Sequence, residues 1–335
     1  MQQTNTKKTA LVLGATGGVG GEVARLLVAR GWQVKALHRS PEKVAEANDG
    51  LQWLAGDAMN RADVVKAAAG AKLIVHAVNP PGYRNWGALV LPMIDNTIAA
   101  AQATGARILL PGTVYNYGPD VLPDIHEDSA QNPVTRKGAI RVEMERRLQN
   151  AGVPVLIVRA GDFFGPKAGN SWFDQGLVKP GKEITAISNP AAPGVGHQWA
   201  YLPDVAETMV RLVERSEQLP LFARYQMDGH WDADGTQFAA AIARAAGKPG
   251  LKASAFPWWL LTLAQPFVPV FRELLEMRYL WRQPVRMSNA RLLAVLGSEP
   301  HTPLDEAIRH SLQGLGCLPT DVSTTDAQVA HAALK

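Results

Sequence analysis

The sequence predicts an α/β fold: a doubly wound parallel sheet followed by a smaller, mostly helical C-terminal part. Three observations lead there. From Thr9 to about Ala160, short β-type runs alternate with Ala-rich helical stretches, the pattern of consecutive βαβ units. A glycine-rich turn, Gly14 to Gly20, follows the first of those runs directly. Beyond Gly161 the alternation gives way to loops rich in Gly, Pro and Trp, with separate helix starts among them.

The strand candidates are Ala10–Leu13, Gln33–Leu37, Gln52–Ala55, Leu73–Ala77, Arg107–Leu110 and Val153–Val158. Between the first two, Val19, Val23, Leu26 and Leu27 recur at helical spacing, and Gly31 marks the stop. Three later helices are announced by their starts: Asp204 with Glu207 three residues on, Asp234 before an Ala-rich run, and Thr302–Pro303 with Asp305. The apolar run Phe256 to Phe271 is shorter than a bilayer span and carries Pro257, Pro266 and Pro269. It reads as a broken buried helix, with contact to a membrane surface as the lesser alternative. The aromatic set Trp258, Trp259, Phe267, Phe271, Tyr279 and Trp281 reads as core, or else as the wall of a pocket for an apolar or aromatic substrate. Trp86 serves the same purpose or anchors a loop. These elements suggest a nucleotide-binding domain over 1–160 with returning elements near 197–229, a substrate-binding part over 161–318, and a loose tail over 319–335.

The chain has 335 residues, 34 Lys+Arg against 30 Asp+Glu, 47% hydrophobic and 19% charged residues. A net charge of +4 argues against a polybasic nucleic-acid binder, and the apolar content against disorder. Cys317 is the single cysteine, so an intrachain disulfide or thiolate cluster cannot form. The apolar stretch Thr9 to Ala15 is too short for a signal peptide, and no run is long enough for an integral membrane segment. A cytoplasmic protein follows by default; a homodimer is an open assembly.

The turn Gly14-Ala15-Thr16-Gly17-Gly18-Val19-Gly20 has G-x-x-G-x-x-G spacing between an apolar strand and an amphipathic helix. Such glycines let the backbone turn sharply and approach a pyrophosphate seated on the helix N-terminus, the mark of a Rossmann-type dinucleotide site. The second strand ends in His38-Arg39-Ser40, where an NAD site usually has an acid for the ribose 2′-hydroxyl. Arg39 suits a 2′-phosphate instead, so NADP(H) is expected over NAD(H), with His38 and Ser40 as helpers.

Together, Gly14–Gly20, Gly56-Asp57, and Thr113-Val114-Tyr115-Asn116-Tyr117-Gly118 resemble the short-chain dehydrogenase/reductase superfamily, nearest its extended, epimerase/dehydratase-like branch. Arg159-Ala160-Gly161-Asp162-Phe163-Phe164-Gly165-Pro166 and Leu202-Pro203-Asp204-Val205-Ala206 extend the likeness over about Thr9 to Leu312. The resemblance implies that Asp57 and Ala58 contact the adenine, that Ala77, Val78 and Asn79 line the cofactor, and that Ala160, Asp162 and Phe163 border the nicotinamide. It also implies a Ser or Thr, a Tyr, and a Lys four residues after that Tyr. Thr113 stands in the first place. Helix phasing in Pro133–Glu145 puts Lys137 in the Tyr place and Arg141 in the Lys place, so the chain resembles the atypical members that lack Tyr-x-x-x-Lys.

Hydride transfer needs a proton donor beside the cofactor. The candidates are Lys137, one helical turn from Arg141, and the phenols of Tyr115 or Tyr117; Arg141 would hold ribose hydroxyls, and Thr113 the reacting oxygen. Against this stands one basic, partly solvated helix face formed by Lys137 and Arg141 beside Glu143 and Glu145, with no catalytic role. His197 and Trp199 are pocket candidates of lesser weight than a structural role, and His126-Glu127-Asp128 reads as a solvated loop. Neither an H-E-x-x-H metal motif nor a G-x-S-x-G elbow occurs. The sequence thus points to an NADP(H)-dependent oxidoreductase or epimerase-like enzyme acting on a carbonyl or hydroxyl of a small molecule. The alternative is a non-catalytic NADP(H)-binding redox sensor.

Overall fold

The structure, a computed structural model, describes residues 7–44, 49–80, 85–169 and 171–319. Its centre is a seven-stranded sheet. β1 (Thr9–Leu13), α1 (Gly18–Ala29), β2 (Gln33–His38), β3 (Leu51–Ala55), α2 (Arg61–Ala67), β4 (Leu73–His76), α3 (Trp86–Thr104) and β5 (Arg107–Gly112) follow in the expected alternation. After the two-residue β6 (Asp124–Ile125) come α4 (Arg136–Gln149), β7 (Val155–Arg159) and β8 (Asp162–Phe164). The remainder comprises β9 (Ser188–Asn189), β10 (His197–Tyr201), α5 (Leu202–Glu214), β11 (Phe222–Gln226), β12 (His230–Asp232), α6 (Gln237–Ala245) and β13 (Ser254–Ala255). Then follow α7 (Trp258–Ala264), α8 (Pro269–Glu276), β14 (Arg286–Met287), α9 (Ala290–Leu296) and α10 (Leu304–Gly314).

The sheet order is β11-β7-β5-β4-β1-β2-β3, and every neighbouring pair is parallel. Its strands are apolar on both faces because both are covered. Ala10 and Val12 of β1 pack into the layer of α1 and α5, while Leu11 and Leu13 pack into the layer of α2, α3 and α4. The chain winds from β1 to β3 in one direction and from β4 to β11 in the other, which opens a crevice beyond the carboxyl ends of β1 and β4. The seventh strand, β11, returns from residues 222–226.

A second core lies past β7. β8, β10 and β12 form a small sheet under α6 and α10. Its interior is aromatic: Phe164, Phe173, Trp199, Phe238, Trp258 and Trp281 are all buried. Trp199 stacks on Phe238 with ring centres 4.2 Å apart.

Several expectations are corrected here. α5 begins at Leu202, two residues before Asp204, whose carboxylate instead accepts the Thr302 amide (2.7 Å) and hydroxyl (2.8 Å). At the start of α6 the buried Asp232 accepts the amides of Gly235, Gln237 and Phe238, while Asp234 closes a local turn with Thr236. Phe256–Phe271 does break into two helices, but only Trp258 and Leu261 of α7 are buried; Trp259 and Phe267 are 63% and 85% exposed. The expected loose tail lies, from residue 320 on, outside the described residues. Among the described residues, no helix is long and apolar enough to cross a membrane.

Candidate active site

The carboxyl end of β1 turns into α1 at Gly14, which takes φ +91°, a backbone region that L side chains rarely adopt. A Cβ there would stand 2.6 Å from the Ala77 carbonyl oxygen, and one on Gly20 would stand 2.2 Å from the Gly14 carbonyl oxygen. These two glycines are required by the packing of strand against helix. Gly17 is different. A Cβ there would meet only the Gly14 carbonyl oxygen, at 3.3 Å, and its φ of −87° suits any residue. The protein's own packing therefore asks less of Gly17 than of Gly14 and Gly20.

Among the described residues, α1 has no side-chain cap and no acid in its first turn. The amides of Gly18, Val19 and Gly20 consequently have no acceptor within the helix. An anion seated there meets both the free amides and the positive end of the helix dipole. Ala15 is buried beneath the turn, and Thr16 stands exposed at its tip.

Along the same crevice, the Ala77 amide donates to the Leu13 carbonyl (2.9 Å), with Val78 half-buried and Asn79 exposed beyond it. At the end of β2, His38 Nδ1 accepts the Ser40 amide (3.0 Å). Arg39 is exposed and, among the described residues, has no ion pair. At the end of β3 the Asp57 amide donates to Asp63 (3.0 Å), the Asp57 carboxylate accepts the Met59 amide (2.9 Å), and Ala58 receives the Asn96 side-chain amide (2.9 Å). The pyrophosphate, ribose and adenine candidates thus run along neighbouring strand ends.

The loop after β5 and the face of α4 meet at a buried polar frame. Lys137, Arg141 and Glu145 lie four residues apart and so share one face of α4. Gly138 lets that helix approach closely, since a Cβ there would stand 2.2 Å from the Tyr115 carbonyl oxygen. Glu145, 5% exposed, pairs with the fully buried Arg159 and accepts from Asn116 (2.9 Å) and Gln131 (3.0 Å). Arg159 Nε donates to the Thr113 carbonyl (2.6 Å), and Thr113 Oγ1 donates to Asn116 (3.1 Å). Burial works against the Arg159 charge, but Glu145, with Tyr117 and Glu127 beyond it, more than offsets this and its pKa is raised. Glu145 and Arg159 were outside the sequence-derived candidate set, although the four-residue spacing of Lys137, Arg141 and Glu145 was a readable signal for the first of them.

Lys137 departs from the expected solvated face. It is 2% exposed and pairs with Glu273 and, at 2.6 Å, with Glu276, both on α8. Its immediate partners are thus two carboxylates. Arg141 lies over the Trp86 ring, its guanidinium carbon 4.9 Å from the ring centre. It also faces His76, whose pKa is lowered to about 3, by burial first and by the Arg141 charge second.

Tyr115 is half-buried between the sheet core and a smaller cluster around Met277 and Leu280. Tyr117 is fully buried in that cluster, its hydroxyl accepting from Gln226 (3.2 Å) and its ring beneath Arg159. Burial raises the Tyr117 pKa. Glu127, expected on a solvated loop, is 4% exposed and accepts the Gln226 amide (3.2 Å).

Beyond β7, Ala160 is buried, and Asp162 and Phe163 are half-buried. Asp162 Oδ2 lies 2.7 Å from His197 Nε2, and the His197 ring stacks on Trp281 at 3.8 Å. Among the described residues, the buried His197 Nδ1 has no hydrogen-bond partner. His197 stands between two small cavities. One is lined by Val114, Asp162, Gln198, Leu280 and Val285, the other by Leu177, Trp199, Asp232 and Phe238. Sequence reasoning gave His197 a lesser weight because an isolated histidine carries no spacing pattern.

A family model described as NAD(P)H-binding matches residues 14–188, just over half of the chain. An NAD(P)H azoreductase from Xenophilus azovorans is 28% identical over 245 residues, covering 71% of this chain and 74% of that one. A 3-diazoavenalumate denitrifying reductase from a Streptomyces species is 28% identical over 177 residues, covering 48% of this chain; the match spans 57% of that reductase. Among solved structures, the Bordetella bronchiseptica enzyme WbmH in complex with NAD+ superposes with a TM-score of 0.69 at 16% identity, covering 92% of this chain and 98% of that one. The UDP-glucuronic acid 4-epimerase of Bacillus cereus, in complex with UDP-glucuronic acid and NAD, gives 0.71 at 13% identity over the same shares. At these identities the two structures speak for the fold.

Proposed function

The chain belongs to the NAD(P)H-binding family, and from that membership we propose that it is an NADP(H)-dependent oxidoreductase of the atypical extended type, acting on a small apolar or aromatic molecule. The observation that carries the reading is the Gly17 position: a turn kept free of side chain where the fold itself asks less for glycine, facing unoccupied helix amides. Arg39, exposed and without an ion pair among the described residues, supports the 2′-phosphate of NADP(H) over NAD(H), with His38 and Ser40 beside it.

A reduced nicotinamide bound in the crevice supplies hydride. The chain has to orient the acceptor and deliver a proton to it. Thr113 is the hydroxyl that would hold the acceptor's heteroatom, kept in place through its carbonyl by Arg159. Lys137 and Tyr115 are the proton-donor candidates, and Arg141 would contact the ribose hydroxyls. Tyr117 turns its hydroxyl to Gln226, which weakens its claim. Leu177, Trp199 and Phe238, which line one of the small cavities beside His197, support an apolar or aromatic substrate with a carbonyl or hydroxyl. The names of the two similar reductases add azo and diazo compounds to the acceptors worth screening.

One observation favours the alternative of a non-catalytic redox sensor. Lys137 is held by two carboxylates, an arrangement that a purely structural residue also satisfies.

The test is titration with NADPH and NADH, followed by nicotinamide fluorescence, on wild type and Arg39→Ala. NADPH binding that weakens about tenfold in the variant while NADH binding is unchanged supports the reading. Failure to bind either nucleotide overturns it and the sensor together. NADPH oxidation with ketones, aldehydes and azo dyes then separates the two: turnover supports the enzyme, and its absence throughout the panel favours the sensor.

A further inference from the structure

The α7–α8 pair exposes an apolar face that the other described residues do not cover. α7 reads Trp258-Trp259-Leu260-Leu261-Thr262-Leu263-Ala264, apolar almost all the way round, which in a water-soluble setting marks a helix buried on every side. Only its inner side is buried. There Trp258 packs on Trp172 and Phe256 and donates its indole N–H to the Pro190 carbonyl (2.9 Å). On the outer side Trp259 is 63%, Leu263 67% and, in the following turn, Phe267 85% exposed, with Leu260 and Val270 beside them.

Along this stretch of the chain the charge has one sign. From Ala253 to Phe271 the chain carries no ionisable residue, and Lys252 and Arg272, which bound the run, are both exposed. Arg282 is exposed a little further on. The only acids between Lys252 and Arg282 are Glu273 and Glu276, and both turn inward onto Lys137. The face thus presents indole, phenyl and leucyl groups within a cationic border.

We propose that the α7–α8 pair seats this protein on an anionic phospholipid surface. Trp259, Leu263 and Phe267 enter the boundary between headgroups and acyl chains, and Lys252, Arg272 and Arg282 meet the headgroup phosphates. At about 1.5 Å per residue the seven residues of α7 fall far short of a hydrocarbon core about 30 Å thick, so the pair lies in the interface and does not cross it. A second copy fits this face less well, because a two-fold contact sets the cationic border against itself. Through Glu273 and Glu276 the same helix pair holds Lys137, which places the lipid-facing element directly over the candidate site.

The experiment is vesicle flotation of the full chain with phosphatidylcholine vesicles, with and without phosphatidylglycerol. Wild type is compared with Leu263→Glu/Phe267→Glu, whose substituted positions are exposed, and light scattering follows the oligomeric state of both. Wild type should bind the anionic vesicles about tenfold better than the neutral ones, more weakly at high salt, and the double variant should lose about tenfold in binding. Absence of binding to anionic vesicles overturns the proposal. So does a wild-type dimer, absent in the variant, in protein that ignores the vesicles, which would assign the face to self-association. NADPH titration of both forms keeps this result separate from the cofactor reading, since a folded variant binds nucleotide as wild type does.

Discussion

Arg159 and Glu145 sit almost wholly out of water, each the principal counter-charge of the other. Removing one partner leaves a buried charge with a diminished set of hydrogen bonds. Arg159→Met is therefore expected to destabilise the protein by about 3–5 kcal/mol, read from the urea midpoint; a cost below about 1 kcal/mol would show that water reaches the pair. Two histidines carry a pH dependence of known sign. His76 and His230 have folded-state pKa values lowered to about 3 and about 4, burial being the first cause in both. The unfolded chain takes up protons near pH 6.5 and the folded one does not until well below it, so their stability contribution is intact above that pH and is lost as pH falls. Each should remove about 2 kcal/mol between pH 7 and pH 5. His76→Gln should flatten that fall by about half of the two-histidine effect in denaturant midpoints at the two pH values. The glycines, Arg39 and Thr113 were readable as residues because a local motif surrounds them. The pairings of Arg159, Glu145 and His197 were not, because their partners Thr113, Asn116 and Asp162 lie in other elements.

At the level of elements, the turn from β1 into α1 separates two demands on glycine. Gly20→Ala brings a Cβ within 2.2 Å of the Gly14 carbonyl oxygen, so it should lower stability by about 1–3 kcal/mol. Gly17→Ala meets only a 3.3 Å contact and should leave the melting temperature close to wild type while weakening nucleotide binding about tenfold or more. Thermal melts alongside NADPH titrations check both, and a Gly17→Ala variant with unchanged affinity would remove the turn from the cofactor site. The strands of the first half were legible from their apolar runs, since a strand covered on both faces needs little else. The start of α6 was not: its first amides, those of Gln237 and Phe238, donate to Asp232, two residues before the Asp234 that the sequence offers. α7 misled for a related reason, because periodicity shows which residues are apolar and leaves open which of them find a neighbour.

Across the whole molecule, Lys137 ties α4, which flanks the central sheet, to α8 of the C-terminal part. Lys137→Met should therefore lower stability whatever its part in chemistry, by about 1–3 kcal/mol for charge-assisted hydrogen bonds lost from carboxylates that water still reaches. Glu273→Gln/Glu276→Gln keeps the ammonium and removes the tie. If that double variant retains NADPH oxidation while folded Lys137→Met loses it with nucleotide affinity intact, the lysine acts on the substrate; if both lose activity in step with stability, it is a tie alone. By itself the sequence determined the parallel α/β architecture and the glycine-rich turn between β1 and α1, because these depend on periodicity and on backbone freedom within a few residues. Only the tertiary structure decided which charges are buried and against whom. It buried Lys137 beneath Glu273 and Glu276, joined Glu145 to Arg159 and left Trp259 and Phe267 in the open, because burial and pairing are properties of segments brought together from far apart in the chain.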